Sequence, residues 1–576
     1  MEHPLEKGAP FGKGVGEPFF RKVSPRILFD RAAQLWYNTS QYGGGCDSGE
    51  SIMENNFDLI IRGGTVFDGS GADGSAADVA IAGDRVAAVG DLSAANAATT
   101  IEAAGCVVCP GFIDIHSHAG IMPLLCPTSD SKVLDGVTTE IDGNCGLSPF
   151  PQTPEMIRKR RDNSTHGIVQ DWSSFDDFAA RLEDAGSSVN RAFLVGHGKL
   201  RACVAGQADR DLSPEEHNEM ARQLRQCLDA GAFGLSSGLI YPPGCFSTQD
   251  EMVRLCRIAR EYDAIYATHI RSEGDGLEAA IGECCDVAAE SGVRLQISHL
   301  KAAGEGNWHK IDWLLDELRR RLDAGVDLAV DRYPYVAAST TLDALLPTRV
   351  AAGGLEAKLR RLSDPDVRSK IAEGFTDPDC WRQVVICSVD TDANKHCEGM
   401  TLAAIAEERA CGPTEAMFDL ILEEQAKVSV VIFSMCEANL EQILQFPLTA
   451  IGSDASVRAT TGPTSTGKPH PRAYGPFART LGVYVRERGT LDLATAIYRM
   501  TGLAAQRLRL AGRGVLRPGS FADITVFDPE TITDKATFAE PHRYSSGIMH
   551  VFVNGAHTVA GGRHTGALAG RLLRRG

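Results

Sequence analysis

Long apolar runs are missing from this 576-residue chain. Nowhere do 18 apolar residues follow one another, so no transmembrane helix is expected. Positive charge is short as well. Lys and Arg number 58 against 75 Asp and Glu, a net charge of −17, which argues against a nucleic-acid partner or an anionic membrane surface. An anionic small molecule stays open, because a local Arg or Lys inside a cleft can hold it. The 16 cysteines have no framework spacing and read as reduced thiols of a cytoplasmic protein. Repeats, low-complexity tracts and heptads are missing too, which excludes a solenoid and a coiled coil. The first 52 residues lack both sustained periodicity and the apolar stretch of a secretory signal. They read as a poorly ordered extension, of the kind a misassigned start codon produces, with folded sequence beginning just after Met53.

What remains has the composition of a globular protein, 43% hydrophobic and 23% charged, and is too long for one ordinary core. Residues 57–109 alternate short β-rich runs with turns such as Asp68-Gly69 and Gly83-Asp84. The same texture returns in Phe521–Phe527 and His550–Gly555. These two ends, 57–109 and 512–576, are expected to build one small β-sandwich domain. Between them, over 110–511, apolar strands alternate with amphipathic helices that carry start signals such as Ser213-Pro214-Glu215-Glu216. Eight strand candidates end near His118, Cys145, Gly196, Ser237, His269, His299, Tyr333 and Asp454, the pattern of a (β/α)8 TIM barrel with its site at those ends. One connection, 347–444, is too long for a plain loop and reads as an insert or lid after the seventh strand.

Histidine is scarce, 15 in all, yet it falls where strands end. In Cys109-Pro110-Gly111-Phe112-Ile113-Asp114-Ile115-His116-Ser117-His118, residues two apart on a strand point the same way, so His116 and His118 share a side. His269 and His299 each follow an apolar β-run. One such histidine is most often a packed or surface residue; four on one predicted barrel point to a metal, and imidazole is a strong zinc ligand. Cys145, in Gly143-Asn144-Cys145-Gly146, would add a thiolate. Asp454 ends the eighth strand, where a carboxylate can bind metal or move a proton.

Taken in order, these motifs resemble the amidohydrolase superfamily. Within it they are similar to the N-acyl-D-amino-acid deacylases (D-aminoacylases). Gly136-Val137-Thr138-Thr139 running into Gly143–Gly146, Val195-Gly196-His197-Gly198, Gly234–Pro243, Tyr333-Pro334-Tyr335, His470-Pro471-Arg472 and Pro518–Asp523 carry the likeness over residues 57–576. The resemblance implies a TIM barrel with a small β-sandwich and zinc-dependent hydrolysis of an N-acyl amide of D configuration. It implies one tight zinc on Cys145, His269 and His299, with the cysteine in place of the carboxylated lysine of many relatives. A second, weaker position would use His116 and His118 with Cys145. Asp454 would be general base and acid. Lys301, Tyr333, Ser339 and Arg472 would bind the substrate carboxylate.

Two stretches depart from the family. Ala119-Gly120 stand where acidic residues are common, and Lys199 follows Gly196-His197-Gly198 where a small or polar residue is expected. Lys199 has three readings: a barrel-rim lysine, a partner for an acidic substrate, or a carboxylated metal bridge. The last would suit a rival activity, a cyclic amide or imide hydrolase of the hydantoinase or dihydroorotase type. A non-catalytic scaffold is the other alternative, and the retained metal-site residues speak against it. His197 is expected to pack rather than ligate.

Overall fold

The computed structural model describes residues 56–162, 167–375 and 377–576. The reading of residues 1–52 lies outside them. Eight parallel strands form the central sheet: β1 (Phe112–Asp114), β2 (Val137–Asp142), β3 (Asn190–Gly196), β4 (Gly234–Gly238), β5 (Ile265–His269), β6 (Arg294–Ile297), β7 (Leu328–Arg332) and β8 (Thr449–Ile451). Each pairs with the next in chain order. Every residue of β2, β3, β5 and β7 is buried, as expected when helices cover a parallel sheet from outside. β1 and β8 meet just past their ends. The Asp454 amide donates to the His116 carbonyl (2.8 Å), and Ser117 pairs with Ala455 in parallel. The ring is the TIM barrel expected from the strand-end motifs.

Beneath the mouth, a buried ionic layer ties the first strands to the last. Lys132 donates to Asp114 (2.8 Å) and to the Ser453 hydroxyl (2.7 Å), and Arg191 donates to Glu140 (2.6 Å). Burying charges is costly unless each is paired; here both cations have carboxylate partners. Helix starts follow the sequence signals. The Ser213 hydroxyl accepts from the Glu216 amide, and the Glu216 carboxylate accepts from the Ser213 amide. Ser174 and Asp177 form a second capping box.

Strands from both ends of the described chain share one nine-stranded sheet. Ile524–Phe527 lies antiparallel to Val107–Pro110, and Asn56–Val66 pairs with strands on either side. Alternation sorts its two faces. Val108, Ile524, Val526 and Phe552 enclose the sheet's own core with Ile61 and Ile81. Val107, Phe527, Val551 and Val553 pack instead with the barrel residues Phe112 and Val137. Past His564 the chain leaves this sheet and runs along the base of the barrel. There the Arg191 amide donates to the Arg571 carbonyl and the Gly570 amide to the Ser187 carbonyl.

The long connection after β7 folds around its own three-stranded antiparallel sheet, with Ser429–Ile432 between Ala338–Thr341 and Val384–Ser388. Leu342, Ile386, Leu402, Phe418 and Val430 form its core. Because Ala338–Thr341 belongs to this sheet, we propose that the insert begins there rather than at 347. The helix Glu437–Gln445 contacts the barrel helix Ile311–Asp323 and β8, so we place the insert's end near Ile432 rather than 444.

Candidate metal centre

The turn after β2 brings Cys145 inward. Gly143 has φ +84°, and a Cβ there would sit 2.1 Å from the Leu194 carbonyl oxygen, so only glycine passes β3 this closely. Cys145, His299 and Asp454 all hold left-handed backbone angles, φ +51°, +35° and +50°. Non-glycine residues reach this region at a cost, and such residues cluster at functional sites.

Two groups of donors share the thiol. Cys145, His269 and His299 offer atoms all within 4.8 Å of one another, and so do His116, His118, Cys145 and Asp454. The Cys145 Sγ lies 3.4 Å from His116 Nε2 and 3.5 Å from His299 Nε2. Tetrahedral zinc, with Zn–S near 2.3 Å and Zn–N near 2.05 Å, sets sulfur and nitrogen about 3.5 Å apart. Neither ring nitrogen of His269 makes a hydrogen bond, the Glu273 carboxylate standing 3.6 Å from Nε2, and a metal bond would satisfy one of them. Burial alone would push the Cys145 thiol up, but His116, His118 and His299 hold it well below its ordinary value. The donor set therefore fits a zinc ion.

Partners behind the ligands orient them. Asp331, on β7, lies 2.9 Å from His116 Nδ1 and accepts from the His299 amide (2.8 Å). Glu273 lies 2.9 Å from His299 Nδ1 and 2.5 Å from Lys301 Nζ, which is itself 2.8 Å from that ring nitrogen. The sequence reading gave neither acid a role. Asp331 did leave a signal, a charge closing the apolar run Leu328-Ala329-Val330. Glu273 left none, because it lies in a loop without strand periodicity.

Asp454 faces three groups. Its Oδ1 lies 3.0 Å from His118 Nε2 and 3.4 Å from His116 Nε2, and its Oδ2 pairs with Arg472 at 2.8 Å. Burial would push its carboxyl up; Arg472, His299 and His116 outweigh this and keep it well below the usual carboxylate range. The Arg472 guanidinium stacks 4.5 Å above the Tyr333 ring and donates to the Ser339 carbonyl (3.2 Å). The Tyr333 hydroxyl is buried and unpartnered. His470 steers Arg472: its Nδ1 accepts from the Arg472 amide (2.9 Å), while its Nε2 lies 2.9 Å from the Ala337 carbonyl.

All of the expected site residues except the buried His116 thus line one cavity of about 1230 Å³. His116 approaches it through Cys145 and Asp454. Ser339 lies on Ala338–Thr341, an edge strand of the three-stranded sheet, so that sheet contributes to the cavity wall. His197 packs, as expected, 2.7 Å from Glu251. Lys199 lines the same cavity.

A barrel of this construction, with cysteine, imidazole and carboxylate donors gathered at its strand ends, belongs to the amidohydrolase family, whose model matches residues 99–559. The chain is 37% identical to the D-aminoacylase of Alcaligenes xylosoxydans xylosoxydans, over 90% of its own length and 98% of that protein. A solved D-aminoacylase with a binuclear metal centre, described by one-metal activation and second-metal attenuation, superposes with a TM-score of 0.76 at 35% identity, covering 90% of this chain and 100% of the other. The N-acyl-D-glutamate deacylase of Bordetella bronchiseptica, solved with zinc and a phosphonate mimic of the tetrahedral intermediate, superposes with the same TM-score at 33% identity and the same coverage.

Proposed function

We propose that this protein is a zinc-dependent hydrolase of the amide bond of N-acyl-D-amino acids, releasing a carboxylate and a free D-amino acid. The observation that carries this reading is the pairing of a Cys145–His269–His299 donor set with Asp454 and Arg472 in one cavity, on a chain this similar to D-aminoacylase. The D preference rests on the named relatives.

Cys145, His269 and His299 would hold the tight ion. His116 and His118, with Cys145, would hold a weaker second one. Zinc bound there supplies Lewis acidity, making water more acidic and the acyl carbonyl more electrophilic. Asp454, kept ionised by Arg472 and its histidines, accepts the proton of the attacking water. It then returns that proton to the departing amine nitrogen. Arg472, Tyr333 and Lys301, with Ser339, would hold the substrate α-carboxylate and set the amide over Asp454. The rival hydantoinase or dihydroorotase reading would need a carboxylated lysine at the centre; the Cys145 thiol, 3.4 Å from His116 Nε2 and 3.5 Å from His299 Nε2, speaks for the deacylase instead. No helix among the described residues is long and apolar enough to cross a membrane. With the unpaired thiols, this supports a cytoplasmic location.

Metal removal tests the reading. Dialysis against a chelator should abolish hydrolysis of N-acetyl-D-leucine, and added zinc should restore it. Full activity in protein shown to be metal-free would refute the proposal.

A further inference from the structure

The cations that line the cavity differ in how they are neutralised. Lys301 pairs with Glu273, Lys358 with Asp343, and Arg472 with Asp454. Arg458 donates to the carbonyls of Thr464 and Thr466. Arg160, at the rim, donates to the neutral Gln170 amide oxygen (2.7 Å). Lys199 has no carboxylate and no hydrogen-bonded partner for its ammonium among the described residues, although the residue is only 9% exposed. Its stem is buried while its ammonium opens on the cavity, where partial desolvation without an anion is costly. Burial, reinforced by Arg160, pulls its pKa down to about 8, so most of it is still charged at neutral pH.

Its position is equally specific. Lys199 lies in the first turn of the helix His197–Ala205, directly after β3, and its amide donates to the Gly146 carbonyl (3.2 Å), next to Cys145. β3 and β7 stand four strands apart in a ring of eight, so they face each other across the mouth. Tyr333 follows β7. A substrate whose α-carboxylate rests on the Tyr333–Arg472 side therefore directs its far end toward Lys199.

We propose that Lys199, assisted by Arg160, is a second anion subsite, and that the preferred substrates are N-acyl-D-amino acids carrying a second carboxylate. This rests on the deacylase reading and narrows its substrate class. The carboxylate can come from the acyl group or from the amino-acid side chain; both present the same anion to the ammonium. Binding would supply the counter-ion that the fold withholds and would favour the charged lysine.

The test compares kcat/KM of the zinc-loaded full chain for N-acetyl-D-leucine, N-succinyl-D-leucine and N-acetyl-D-glutamate. At least one diacid should exceed N-acetyl-D-leucine by about tenfold or more, through KM, as a charge-assisted contact in a desolvated cleft provides. The winning diacid identifies the source of the carboxylate. Lys199→Met should bring that ratio close to one, Lys199→Arg should keep most of it, and Arg160→Gln should reduce it partway. Cleavage of N-acetyl-D-leucine with no diacid preference, or a preference unchanged in Lys199→Met, overturns the subsite and leaves the deacylase reading standing. If none of the three is cleaved, the deacylase reading fails, and calorimetry judges the subsite by itself. Glutarate bound more tightly than butyrate by the wild type, but not by Lys199→Met, supports it. Equal preference in both proteins overturns it.

Discussion

Cys145 belongs to both donor groups, whereas His269 and His299 belong to one and His116 and His118 to the other. Loss of a single ligand should therefore have unequal effects. His269→Ala or His299→Ala should lose tightly bound zinc and activity together. His116→Ala or His118→Ala should lower activity and keep most of that zinc, as read by metal analysis after dialysis; equal zinc loss in all four would refute the division. Lys199 permits a prediction from pH. Its pKa falls from the ordinary 10.5 to about 8, so between those values the unfolded chain holds more protons than the folded one. Stability from this group therefore rises with pH across that window, and the penalty is complete below pH 8. Lys199→Met should be more stable than the wild type at pH 7, with a ceiling of about 3 kcal/mol. That gain should shrink toward pH 10.5. Denaturant midpoints at the two pH values check it, and a gain independent of pH would contradict it.

The elements that matter most are the short turns after the strands. The turn after β2 depends on Gly143, where any side chain meets the Leu194 carbonyl. Gly143→Ala should displace Cys145 and weaken zinc retention by tenfold or more, a change of about 1.4 kcal/mol, while the circular-dichroism spectrum stays native. Undiminished zinc affinity would show that the turn tolerates the shift. These turns were legible in the sequence because each closes an apolar β-run with a residue of metal or proton chemistry. His116, His118, Cys145, His269, His299 and Asp454 could all be found in that way. Glu273 could not, since its partners Lys301 and His299 meet it only after β5 and β6 align. The strand Ala338–Thr341 was hidden for a related reason. Ala338–Thr341 is polar and only partly buried, and it reads as a strand only once Ser429–Ile432 lies beside it. His470 was read as part of a motif with Arg472; its hydrogen bond to the Ala337 carbonyl depends on the insert's placement.

At the scale of the molecule, the barrel supplies the donor turns, the insert supplies a wall, and the end sheet packs beside β1 and β2. Paired charges, Arg472 with Asp454 and Lys301 with Glu273, line the cavity between barrel and insert, and Lys199 lines it from the helix that follows β3. This asymmetry suits a linear substrate with a carboxylate at a fixed end, held so that its amide lies over the Cys145 centre and Asp454. The relatives supply the handedness of that substrate. The most direct measurement is the rate at which zinc-loaded protein releases free amino acid from matched N-acyl-D- and N-acyl-L-amino acids, with acetyl-leucine and acetyl-glutamate as two pairs. Cleavage should be confined to the D member of each pair that reacts, and should disappear in Asp454→Asn with zinc still bound. Cleavage of the L members alone, or of none of the four, would contradict the assignment.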